Sequence, residues 1–147
     1  MRATKHGTTN YKMLLPYLKA LDEKTCDDGT SWLRFTAAGY MDLSMESLGY
    51  TDYRGLPVYY MAHYGEQNGD LMADPCIEFS VDREKGVIHP LNFRNDYMGL
   101  YQEVYRTRNG QRLYSPSLRT SLDDFLWHWL KNIEDQGFTP ESRKEAA

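Results

Sequence analysis

Five side chains able to hold a metal ion or move a proton stand within 16 residues: His63, Glu66, Asp70, Asp74 and Glu78. Carboxylate oxygens with an imidazole nitrogen suit a hard or borderline divalent cation, so His63, Asp70, Asp74 and Glu78 are the candidate metal ligands. With a metal ion bound, Asp70 or Asp74 paired with Glu78 would stabilise the transition state of phosphoryl transfer. The spacing is that of neither an EF-hand nor an HExxH helix. The lysine that commonly accompanies nuclease acids is missing, since Phe79 and Ser80 follow Glu78 and Lys85 comes only in the next turn. Cys76 or Ser80 as a nucleophile beside His63 lacks an elbow or glycine-flanked setting. Asn68, Gly69 and the Asp74-Pro75 pair are turn formers, and the plainer expectation is a polar loop between two strands that presents His63, Glu66, Asn68, Asp70 and Asp74 for recognition.

A second group is basic and aromatic. Arg94, Arg106, Arg108, Arg112 and Arg119 interleave with Tyr97, Tyr101, Tyr105 and Tyr114. Guanidinium groups grip phosphates and tyrosine rings stack on bases, which is one use for such a surface. The same residue types dominate protein interfaces, and on an exposed hairpin they also serve simply as a solvated sheet face. Arg94, Tyr101, Arg106, Arg108 and Arg112 are therefore carried forward as partner-binding candidates. The acidic pairs Asp22-Glu23, Asp27-Asp28 and Asp123-Asp124 would steer the chain toward a basic partner, although Asp123-Asp124 also fits the first turn of a helix.

The elements that must position these groups follow from periodicity. After a polar stretch at 1–9, Asn10 can cap a helix with Tyr11, Leu14, Leu15, Leu18 and Leu21 on one stripe, its regular part beginning near Leu15 because Pro16 suits only a first turn. Period-two alternation predicts strands from Trp32 and from Tyr40 to Glu46, either one strand broken at Ala38-Gly39 or a pair. Further strands are expected at 58–64 and 76–81, with EQNGD ending the first of them and REKG turning into Val87-Ile88. Pro90 demotes its neighbourhood to an edge or irregular piece. Residues 97–105 read as strand because Asn109-Gly110 then makes a hairpin tip, with Arg112 to Tyr114 returning. Ser121 as N-cap opens an amphipathic helix with Leu122, Phe125, Leu126, Trp129, Leu130 and Ile133 on its stripe, closing at Gly137. Trp127 lies off that stripe and, with the edge near Pro90, offers a self-association surface. The fold expected is α+β: a single-layer antiparallel sheet of about five or six strands packed by an N-terminal and a C-terminal helix.

Composition bounds the class. A chain of 147 residues is the size of one domain, so a single domain over 1–147 is expected, with flexible tails at 1–9 and 138–147. A formal net charge of −4 is not the footprint of a non-specific nucleic-acid binder. Cys26 and Cys76 form no CxxC pair, so neither a disulfide framework nor a structural zinc site is indicated, and no cofactor is expected. The N-terminal segment has no apolar signal region and no run reaches membrane-span length, which places the protein in the cytoplasm.

The run from His63 to Pro75, HYGEQNGDLMADP, followed by Gly99 to Val104, GLYQEV, resembles an uncharacterised family of small proteins from plasmids, phages and integrative conjugative elements. The resemblance spans about residues 30–135 and implies a mobile-element setting; no activity is attached to it. Such elements carry accessory proteins that modulate conjugation or blunt host defences. The expected function is a non-enzymatic protein-binding accessory factor, including an inhibitor of a host defence effector of the anti-CRISPR or another anti-defence kind, acting by occlusion. Its expected partner is another protein, a nucleic-acid-processing host effector. The alternatives are a metal-dependent enzyme acting on nucleic acid and a small nucleic-acid-binding module.

Overall fold

The computed structural model describes residues 3–144. Six strands form one antiparallel meander, each paired with its sequence neighbour: β1 (Thr30–Phe35), β2 (Leu43–Thr51), β3 (Pro57–Gln67), β4 (Asp70–Asp82), β5 (Val87–Asn95) and β6 (Leu100–Glu103). A separate two-stranded sheet, β7 (Tyr105–Arg108) and β8 (Gln111–Tyr114), follows it. Helices α1 (Gly7–Asp22) and α2 (Pro116–Asp135) pack on each other and on β5. The α+β expectation is met.

Period-two alternation decides which face each strand turns inward. Leu33 and Phe35, Leu43 and Met45, Tyr59 and Met61, Ile77, Phe79 and Val81, and Ile88 and Phe93 meet the stripe Leu122, Leu126, Trp129, Leu130 and Ile133 of α2 and Leu14, Leu18 and Leu21 of α1. On the opposite face the register lines up two rows across all six strands. One row runs Trp32, Glu46, Tyr60, Glu78, Asn92, Glu103, and the next runs Arg34, Ser44, Ala62, Cys76, Arg94, Tyr101. Among the described residues both helices pack on the other face.

Several expectations about the elements are corrected. Asn10 does not cap α1; it lies in the second turn, fully buried, with its Nδ2 donating to the carbonyl of Asp123. Pro16 sits inside the regular helix, on its exposed side, where the carbonyl it leaves unpaired can meet water. Pro90 lies not at an edge but in an inner strand, beside the irregularity also expected there, a bulge that makes Leu91 the extra residue. Helix α2 starts at Pro116, five residues before Ser121, with Ser115 in the N-cap position, so Asp123 and Asp124 are mid-helix. The segment 138–144 is not a free tail: Phe138 is buried, and Ser142 and Lys144 bond the backbone of Thr36 and Arg34 along the outer edge of β1. Residues 1–2 and 145–147 of the expected tails lie outside the described residues. Trp127 is half-buried under the ring of His6, which stacks on it at 4.8 Å.

Candidate functional site

The stretch expected as a polar loop at 63–74 is instead the tip of a long β-hairpin. β3 continues to Gln67, pairs it with Asp70, and reverses through Asn68 and Gly69 alone. Both turn residues have positive φ, 54° and 85°, which Asn and Gly adopt more cheaply than other residues. One extra residue on β4, between Ala73 and Cys76, bulges the hairpin near Asp74.

The meander brings the turn at 96–99 beside this hairpin, and hydrogen bonds lace the two. The Ala73 N–H donates to Asp96 Oδ2 at 2.7 Å, and the Asp96 N–H donates back to the Ala73 carbonyl at 2.9 Å. Asn95 Nδ2 donates to Asp74 Oδ1, and Arg94 pairs with Asp96 at 3.1 Å. The hydroxyl of Tyr97 rests over Gly65, where a Cβ would collide with it. The tip is thus held by the neighbouring turn as well as by its own ladder. It presents Leu71, 69% exposed, beside Glu66, Asn68 and Asp70, and next to it Met98, 73% exposed, and Tyr97. Tyr40 and Met41, in the turn between β1 and β2, are exposed at the same end of the sheet. Leu71 and Glu66 are cross-strand partners on one face of the hairpin, whereas Tyr97 lies over Gly65 on the other, so the tip carries exposed apolar side chains on both faces with carboxylates among them.

The remaining candidates separate. His63 is on the helix-covered face, its Nδ1 3.0 Å from the Asp42 carbonyl and its ring against Trp129 and Phe138. Burial there pushes its pKa down, so it is a neutral core side chain and not a contact for a partner. Glu78 projects from the opposite face and accepts from Asn92 Nδ2 at 2.8 Å. His63, Asp70, Asp74 and Glu78 therefore do not converge on one ion. Cys76 lies under Tyr60 and Tyr64, and burial pushes its thiol up to about 12, the opposite of an activated nucleophile.

Arg94 and Tyr101 are direct cross-strand neighbours on the open face. Arg106 and Arg112 line a cleft of about 320 Å³ between β4, β5, the turn after β2 and the β7–β8 hairpin. Arg112 stacks over Tyr53 at 4.2 Å. Asp52, at the cleft wall, is lifted by burial, but bonds from Ser80, the Leu56 and Arg54 amides and the Arg54 side chain outweigh this and hold its carboxyl below the usual range. Glu78 and Glu103 line the same cleft, so a phosphate entering it would meet carboxylates as well as guanidinium groups. Arg108 stands away from the cleft lining, exposed at the end of the hairpin. Sequence reasoning passed over Asp96, Leu71 and Met98. The usable signal was a large apolar residue inside each of two turn-forming stretches.

Residues 10–139 match a family model described as a domain of unknown function, DUF6908. The chain belongs to this family. The DUF6908 match takes in all eight strands and both laced turns, and it reaches past the end of α2. No curated protein and no solved structure matches the chain. Among the described residues, no helix is long and apolar enough to cross a membrane.

Proposed function

We propose that this DUF6908 protein is a non-enzymatic binding factor that docks another protein through the braced end of its sheet and blocks that partner's surface. One observation carries the proposal: Leu71, Tyr97 and Met98, with Glu66 and Asp70 beside them, stand exposed around a hairpin tip and a turn that hydrogen bonds hold together. Exposed aliphatic and aromatic side chains on a rigid support lose little conformational entropy on docking, which favours an interface over a merely solvated tip. The carboxylates suit a partner with a basic surface, as nucleic-acid-processing proteins have. The proposal includes a cytoplasmic setting in a mobile element and, as its specific form, inhibition of a host defence effector.

A metal-dependent enzyme acting on nucleic acid is disfavoured by the separation of His63 from Glu78 across the sheet. A nucleic-acid-binding module would use Arg94, Arg106 and Arg112, and the carboxylates Glu78 and Glu103 among them weigh against it.

The test is quantitative capture from a bacterial host lysate with wild type and with Glu66→Ala/Asp70→Ala/Leu71→Ala. A specific partner depleted at least tenfold by the triple variant, with its melting temperature near that of wild type, is expected. A partner retained at full affinity by the folded variant sinks the assignment of this surface, and a salt-dependent shift of labelled DNA or RNA transfers it to the Arg and Tyr cleft.

A further inference from the structure

Three chemistry-bearing side chains meet where the start of α1 crosses the middle of α2, outside the surface described above. The ligand atoms of His6, Asp123 and Asp124 lie within 4.8 Å of one another, and among the described residues they are the group of three or more His, Cys, Asp or Glu so placed. His6 Nε2 is 2.8 Å from Asp124 Oδ1. This is a hydrogen bond; ligand atoms bound at about 2.1 Å stand about 3 Å apart around an octahedral ion and about 3.4 Å around a tetrahedral one, so the pair needs to open by only a few tenths of an ångström to share one.

Part of the arrangement has a structural explanation. The His6 backbone N–H donates to Asp123 Oδ2 at 2.8 Å, so Asp123 acts as a cap for α1 supplied from another helix. That leaves Asp123 Oδ1 unexplained. The residue is 1% exposed in the middle of a helix, and this oxygen has no hydrogen-bond partner. Asn10 supplies a second, independent sign. It lies one turn beyond His6 on α1, is fully buried, donates Nδ2 to the Asp123 carbonyl, and leaves its own Oδ1 unpartnered. Buried polar atoms are normally satisfied, and an orphaned carboxylate oxygen grouped with an imidazole and a second carboxylate calls for a cation.

We propose that His6 Nε2, the Asp124 carboxylate and the buried Asp123 carboxylate form a site for a divalent first-row transition-metal ion that clamps α1 to α2. Asp123 would bind through Oδ1 without giving up its bond to the His6 amide. One nitrogen with carboxylate oxygens suits Zn²⁺ or Mn²⁺, and the imidazole biases the site against Ca²⁺ and Mg²⁺.

The full chain, free of any histidine tag, would be titrated calorimetrically with Zn²⁺ and with Mn²⁺. Saturable binding at one ion per chain is expected. His6→Gln and Asp124→Asn, both at positions where wild type has accessible side-chain surface, are expected to weaken it at least tenfold. His128→Gln, which removes the exposed imidazole next to Trp127, is expected to leave it unchanged. Because the His6 ring stacks on Trp127, binding is also expected to change tryptophan emission, and Trp127→Phe should abolish that change while keeping the stoichiometry. Absence of saturable binding by either metal at millimolar concentration overturns the site. So does unchanged affinity in His6→Gln and Asp124→Asn.

Discussion

The hydrogen bond from the Ala73 amide to Asp96 is the point at which the proposed docking surface is most open to attack. Ala73 is fully buried, so removing its acceptor leaves an amide that water cannot readily reach. Asp96→Ala forfeits a hydrogen bond to a charged acceptor and strands that donor, at a cost of about 2–3 kcal/mol. The Arg94 pair at 3.1 Å is lost as well, but Arg94 is largely exposed and the pair adds only a few tenths of a kcal/mol, roughly. For a chain of this length the melting temperature should fall by about 4–12 °C. Asp96→Asn keeps a carbonyl oxygen to accept from Ala73 and loses only the charge, so its cost should stay below about 1 kcal/mol. Urea unfolding of wild type and both variants measures the differences, and amide hydrogen exchange at Ala73 localises them. Asp96→Ala within about 0.5 kcal/mol of wild type would refute the brace. Equal losses in the two variants would show that the charge on Arg94, and not the Ala73 amide, is what Asp96 serves.

Two further outcomes are expected. Burial first, then the nearby charges of Arg54 and Arg119, push His89 down to about 4, so between about pH 6.5 and 4 the unfolded chain binds a proton that the folded chain refuses. Stability should therefore fall as pH drops through that window, by up to about 3 kcal/mol, and His63 acts in the same direction. A pH series of urea midpoints should show a shallower acid limb in His89→Gln; an unchanged limb would mean that other groups cause it. Phe138 is 3% exposed and packs on the His63 ring, so Phe138→Ala should cost about 3 kcal/mol, and a thermal melt matching wild type would restore the picture of a free tail.

Fold class was legible because alternation and helical stripes record which face of each element is buried. Leu33/Phe35, Tyr59/Met61 and the Leu122–Ile133 stripe sit where periodicity places them, except Phe125, which is left exposed at the edge of the stripe. Turn chemistry was equally local: Asn68-Gly69 and Asn109-Gly110 each have the positive φ that their residue types favour. Boundaries failed where tertiary partners override local preference. The residues before Ser121 form a helix because Leu118 packs on the core, Arg119 is buried and Pro116 suits a first turn, and Asn10 is drawn into α1 by its bond to Asp123.

By itself, then, the chain's sequence determined a meander of amphipathic strands with a helix at either end, since apolar periodicity and turn residues act over a few neighbours. Tertiary structure alone decided the fate of the chemical groups. It buried His63 against Trp129, put Glu78 on the other face, joined Asp96 to Ala73 across 23 positions, and brought His6 to Asp124 across 118. A side chain's chemistry is read from its type, but whether two side chains share a site depends on register and on which helix crosses which, and those are properties of the folded chain.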